Sequence, residues 1–180
     1  MKTQITEKIQ IPEGVSCSLE DGVIKCSKSG VELSRNLKIP RVEVKTEGRE
    51  IVFNCERGNK IQLKSIRANL AHLRNMFLGL EKKYVYSLES CNVHFPMILK
   101  VEKDKLIINN FLGEKVPRTA VILPNVEVQI KGAKIAVSSH DREAAGQTAA
   151  NFEKATIVRN RDRRVFQDGI YITEKPGREL

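Results

Sequence analysis

Apolar and polar residues alternate over short stretches of this chain and only twice give way to a helical spacing. Val15-Ser-Cys17-Ser-Leu19 places every second side chain on one face, the period of a half-buried strand. Asp21-Gly22 follows, a pair suited to a two-residue hairpin turn, and Val23-Ile24-Lys25-Cys26 returns. A third extended run crosses Arg35–Lys38. Val42-x-Val44 predicts another strand, Gly48 a turn, and Ile51-x-Phe53 the strand after it. The spacing then changes to 3-4-3-4-3 at Leu63, Ile66, Leu70, Leu73, Phe77 and Leu80, which predicts a helix over roughly 59–80 with that stripe turned inward. Lys60, Lys64, Arg67 and Arg74 fall on its other face.

The same order recurs at an offset of 84 residues. Ile39-Pro40-Arg41-Val42-Glu43-Val44 falls on Leu123-Pro124-Asn125-Val126-Glu127-Val128, Gly48 on Gly132, and Ile51 on Ile135. Upstream, Ile11-Pro12 falls on Phe95-Pro96, and Val15, Cys17 and Val23 fall on Leu99, Val101 and Ile107. One offset without a gap fits all these anchors, although Ser29–Leu37 matches poorly. The second copy is expected to hold strands at Met97–Val101, Leu106–Ile108, Val116–Leu123, Val126–Ile130 and Ile135–Val137. Its helix is expected to start at the N-cap residue Asp141, to bury Ala145, Ala149 and Phe152, and to end near Ala155. An antiparallel sheet with one apolar face needs a cover, and one amphipathic helix per copy supplies it. The expected fold is therefore α+β: two tandem copies of an antiparallel sheet covered on one face by a helix. The expected domains are 1–82 and 83–180, the second sheet opening directly with a strand at Tyr84–Leu88.

Charge turns this fold toward a partner. The 180 residues carry a net charge of +9. Residues 1–82 hold 15 Lys/Arg against 10 Asp/Glu, and residues 83–180 hold 16 against 12. The excess is spread over folded segments, which suits docking on a structured polyanion. The four cysteines, at 17, 26, 55 and 91, lack zinc spacing and are expected as reduced, mostly packed thiols. The polar opening Met1–Gln10 does not resemble a signal peptide, and no apolar run reaches the ~20 residues of a membrane span. Ser138-Ser139-His140-Asp141 contains triad residue types, but contiguous residues do not converge as a triad does, and a strand end with a helix cap is expected instead. No phosphate-loop, dinucleotide or H-E-x-x-H motif is present. The expectation is a protein that is not an enzyme, with no cofactor and no metal.

The densest positive run is Lys154-Ala-Thr-Ile-Val-Arg159-Asn-Arg161-Asp-Arg163-Arg164, directly after the second helix. Arginine suits forked contacts to phosphate. Phe166 and Tyr171 beyond it are candidates for stacking on exposed bases or for core packing. In Asn109-Asn110-Phe111-Leu112-Gly113-Glu114-Lys115, an expected exposed loop, Lys115 and the nearby Arg118 are candidate phosphate contacts; the competing expectation is a solvated hairpin tip. Gly146 in the second helix allows close approach of a phosphate or of the sheet.

These segments carry a resemblance. Arg164-Val-Phe166-Gln-Asp168-Gly169-Ile170-Tyr171-Ile172-Thr-Glu-Lys175 resembles the C-terminal signature of the ribosomal large-subunit protein L-six family in its archaeal and eukaryotic form. Ile11-Pro12-Glu13-Gly14-Val15 resembles that family's opening, and His94-Phe95-Pro96 and Asn110–Lys115 its mid-chain motifs. Gly146-Gln147-Thr148-Ala149-Ala150 resembles its second helix. Ser27-Lys28-Ser29-Gly30 departs from the family's frequent Gly-Pro-Lys-Gly but keeps a turn glycine. The resemblance implies a structural protein of the cytoplasmic ribosome. Its partners would be large-subunit rRNA near the sarcin-ricin loop, neighbouring ribosomal proteins and nearby translation factors, with no membrane and no DNA. It places most RNA contact in the second domain. Joined to the charge pattern, it gives Lys115, Arg118, Gly146, Gln147, Lys154, Arg159, Arg161, Arg163, Arg164, Phe166 and Lys175 as the expected RNA-binding set. The alternative from another class is a free, basic protein-interaction adaptor without a ribosomal role.

Overall fold

A computed structural model describes residues 3–179. The chain divides into two compact units, Met1–Lys82 and Lys83–Leu180.

In the first unit, strands β1 (Thr3–Gln10), β5 (Glu43–Glu47) and β6 (Glu50–Gly58) form one antiparallel sheet in the order β1-β6-β5. Strands β2 (Ser16–Glu20), β3 (Val23–Lys28) and β4 (Val31–Asn36) form a second sheet in chain order. Helix α1 (Lys60–Glu81) packs on strands of both sheets. Its start is fixed locally. The Asn59 side chain accepts the amides of Ile61 and Gln62, and Gln62 reaches back to the Asn59 amide. Ile66, Leu70, Leu73, Phe77 and Leu80 of the stripe are buried and Leu63 is half-buried; Met76 joins them. They meet Ile24 and Cys26 from one sheet and Ile51, Phe53 and Cys55 from the other.

Strand β1 was not legible as a strand. Ile5 and Ile9 are the only apolar residues of the octet, and their value appears only opposite Cys55 and Ile51. The run placed at Arg35–Lys38 in fact forms β4 at Val31–Asn36. Ser29 and Gly30, at φ +52° and +84°, make the turn immediately before it. After the strand, the Leu37 amide is held by the Gly22 carbonyl at 2.7 Å.

The second unit repeats this plan and enlarges it. Strands β8 (Ile98–Glu102), β9 (Lys105–Asn109) and β10 (Arg118–Val121) form a three-stranded sheet. Strands β7 (Tyr84–Cys91), β11 (Glu127–Lys131), β12 (Lys134–Ser139), β13 (Gly169–Lys175) and β14 (Arg178–Glu179) form a five-stranded one in the order β11-β12-β7-β13-β14. Helix α2 (Arg142–Ala155) begins at Asp141, whose carboxylate accepts the Glu143 amide at 2.8 Å. It buries Ala145, Thr148, Ala149 and Phe152 against β7, β10, β12 and β13.

The repeat holds, but its single offset does not. Cys17 opposes Cys26 and Leu19 opposes Ile24, whereas Leu99 opposes Ile108 and Val101 opposes Leu106. Cys17 therefore corresponds to Leu99, not Val101, and the offset in this hairpin is 82. It returns to 84 where Val44 opposes Phe53 and Val128 opposes Val137. A slip of two residues restores every side chain to its original face, so alternation alone does not register it.

Candidate nucleic-acid interface

The thirteen residues 156–168 join α2 to β13 without regular secondary structure. Both ends are fastened by polar side chains. The Thr156 hydroxyl accepts the Ile170 amide at 2.9 Å, and the Glu153 carboxylate accepts the Ile172 amide at 2.9 Å. These bonds also occupy the outer edge of β13, which would otherwise present free amides. The buried Asp168 accepts the Val93 amide at 2.9 Å. Within the segment, Val158 is buried and Phe166 packs half-buried on the unit's core. Asp162 accepts the Arg164 amide at 2.9 Å, and its carbonyl accepts the Phe166 amide, forming a turn. Between these anchors Arg159, Arg161, Arg163 and Arg164 are exposed.

A second segment meets the first. Residues 110–117 join β9 to β10 through a short 3-10 turn at Phe111–Gly113, with Asn110 and Leu112 at φ +60° and +50°. Phe111 is fully buried and anchors the loop, while residues 113–117 are exposed. The Arg118 guanidinium lies 4.2 Å from the Phe111 ring centroid. It donates to both Glu114 carboxylate oxygens, at 2.7 and 2.6 Å, and to the carbonyls of Ala155 and Ile157, at 2.9 and 3.3 Å. Arg118 thus clamps the 110–117 loop to the end of α2 and satisfies a carbonyl of its last turn. The hydrogen bonds from Arg118, aided by its charge and that of Arg161, hold the Glu114 carboxyl below the usual glutamate range.

The expected contact residues divide accordingly. Lys115, Lys154, Arg159 and Arg163 are exposed around this corner. Arg161 is exposed but its guanidinium sits 4.7 Å from the Phe166 ring centroid. One face of Phe166 is therefore covered by a cation and another by core. Arg164 is paired with Asp162 at 2.8 Å, which lowers the Asp162 carboxyl. Arg118 is engaged internally. On α2, Gln147 is exposed and donates to Asn151 at 2.9 Å. A Cβ added to Gly146 would meet the Tyr86 hydroxyl oxygen at 2.9 Å, so the close approach there is to the sheet. The Tyr171 hydroxyl donates to the Gln167 carbonyl at 3.2 Å. Lys175 is exposed at the far end of β13, about 20 Å along the strand from Gly169.

Glu153, Thr156, Asp168 and Glu114 were missed as the residues that hold this corner. Their one signal was polar character beside apolar runs; the partners of Glu153, Thr156 and Asp168 are distant in sequence, while Glu114 pairs with Arg118 four residues on. Ser139 and Asp141 serve the backbone: the Ser139 hydroxyl donates to the Asn125 carbonyl at 2.7 Å, and Asp141 caps α2. Among the described residues, no group of three or more His, Cys, Asp or Glu is placed to hold a metal, and no helix is long and apolar enough to cross a membrane.

A duplicated α+β frame that fastens a row of arginines outward has the form of a structural polyanion-binding protein. The comparisons with known proteins give that class a family. Residues 95–169 match the family model described as Ribosomal protein L6. The chain is similar to the large ribosomal subunit protein uL6 of Methanococcus vannielii, 39% identical over 176 residues, covering 98% of this chain and 97% of that protein. It is also similar to the large ribosomal subunit protein uL6 of Methanocella arvoryzae, 36% identical over 176 residues, covering 97% and 99%. The chain belongs to the ribosomal protein L6 family. It is a structural constituent of the large ribosomal subunit in the cytoplasm, it binds rRNA and ribosomal proteins there, and it is not an enzyme.

Proposed function

We propose that the second unit, 83–180, is the main rRNA-binding domain, and that it docks near the sarcin-ricin loop and the translation-factor site. The observation that carries this is the cationic corner, where Arg159, Arg161, Arg163 and Arg164 project from a segment fastened at both ends. With its backbone held in place, the segment loses little further backbone freedom on meeting a phosphate chain. Lys115 and Lys154 extend the positive surface, and Lys175 and Gln147 supply outlying contacts. Arg118, Gly146 and Phe166 act from within, by shaping the corner. The location near the factor site rests on the resemblance in the residue 164–175 signature, and it makes translation factors neighbours rather than ligands. Duplex DNA is not a partner in this proposal.

Neutralised phosphates release counterions, so binding to large-subunit rRNA fragments should weaken steeply with salt. Replacing Arg161, Arg163 and Arg164 together by Ala should cut the salt slope by about 2–3 and leave the fold intact. Unchanged affinity in that variant would move the contact surface elsewhere, to the Lys60, Lys64 and Arg67 face of α1. Location is tested separately. A hydroxyl-radical source tethered at Val165→Cys, in a background with Cys17 and Cys91 replaced by Ser, should cleave the sarcin-ricin loop in assembled subunits. Cleavage confined to distant helices would refute the placement.

A further inference from the structure

Cys17 and Cys26 oppose each other across the β2–β3 hairpin, with Sγ atoms 2.7 Å apart and both thiols free. Directly opposed residues of an antiparallel pair lie at Cα separations of about 4.5–5.5 Å, inside the window a disulfide accepts. The sulfurs need to close only about 0.7 Å to reach the ~2.0 Å of a bonded pair. Access is unequal: Cys17 is half-buried and Cys26 is fully buried.

The second unit supplies an internal control. The corresponding positions are Leu99 and Ile108, opposed in the same register, the first half-buried and the second fully buried. Packing at this place in the fold therefore does not require sulfur. Contact with Cys26 also draws the Cys17 thiol below the ordinary cysteine range, and the same contact with burial pushes Cys26 far above it. The thiolate thus forms first on the more accessible sulfur.

We propose that Cys17 and Cys26 form a thiol–disulfide exchange site for low-molecular-weight disulfides, with Cys17 attacking and Cys26 resolving. The Cys17 thiolate attacks one sulfur of the small disulfide, forming a mixed disulfide and expelling one small thiolate. Cys26 loses its proton as its sulfur attacks Cys17 Sγ, and the second small thiolate leaves. Two protein thiols are oxidised and one small disulfide is reduced to two thiols. The product is a covalent cross-strand staple on β2–β3. Cys91 lacks this second step, because its register partner across the β7–β13 pair is Gly169.

The test uses the full-length chain with Cys91→Ser, treated with oxidised glutathione and mapped as peptides without reduction. The expected product links Cys17 to Cys26 with the loss of two hydrogen masses, and Cys55 stays free. Hydrogen exchange of the β2–β3 amides should slow at least tenfold. Cys26→Ala should stop at a stable glutathione adduct on Cys17. A glutathione adduct that persists on Cys17 while Cys26 is present would overturn the proposal. So would an unmodified Cys17 under conditions that fully modify Cys91 of the unaltered chain. Both readings come from chains that keep the cysteine pair, so they hold even if Cys26→Ala does not fold.

Discussion

The two units join equivalent strands in opposite ways. In the first, β3 turns into β4 through Ser29 and Gly30 alone. In the second, β9 reaches β10 through residues 110–117, a loop with a buried phenylalanine and an internal ion pair. The tight turn only reverses the chain. The loop has a core of its own and carries Lys115 beside the arginine segment. A connection becomes a working surface when it is long enough to be fastened, and here the fastening comes from Phe111 and Arg118 rather than from regular hydrogen bonding.

That difference can be broken in steps. Phe111→Ala should remove about 3–5 kcal/mol from the second unit, read as an early unfolding step in denaturant while the first unit keeps its midpoint. A loss below about 1 kcal/mol would mean that the loop does not depend on its aromatic anchor. Arg118→Ala should cost about 2 kcal/mol, and Arg118→Lys should restore little, since one ammonium cannot span a carboxylate and two carbonyls. Full rescue by Lys would reduce the clamp to simple charge. In the first unit, Gly30→Ala should cost about 1 kcal/mol from backbone strain alone, because φ is +84° and nothing lies within 4 Å of an added Cβ. Gly30→Asn should cost less.

The smallest effect is in pH. The Glu114 carboxyl is lowered in the folded chain, so its contribution is complete above the unfolded value of about 4.3 and fades as pH falls through the lower folded value. Hydrogen exchange in residues 110–117 should quicken over that acid window, and Glu114→Gln should remove the dependence. Equal acid sensitivity in the variant would assign the effect to another carboxylate.

What the sequence disclosed and concealed follows from how local each signal is. The α1 stripe, the Asp21-Gly22 turn and the Asp141 cap act within a few residues, and each was legible. Strand β1 was not, because Ile5 and Ile9 are apolar positions only opposite Cys55 and Ile51. The arginine cluster was visible as charge, but its geometry was not. That geometry depends on Asp168 reaching Val93 and on Thr156 and Glu153 reaching β13, bonds between residues 14 to 75 positions apart. Arg118 read as a free cation for the same reason: two of its partners lie 37 and 39 residues downstream.

The shift of offset between the two hairpins bears on how such a chain can diverge. Between Cys17 and its counterpart Leu99 the slip relative to the β5–β6 and β11–β12 pairs is two residues, and the inward set stays inward. A slip of one would have turned Ile24 and Cys26 to water. A change inside a strand keeps the inward set only in even steps, while connections change by any number. Parity acts as a filter on insertions, and a comparison of family members should find odd-length changes confined to the connections.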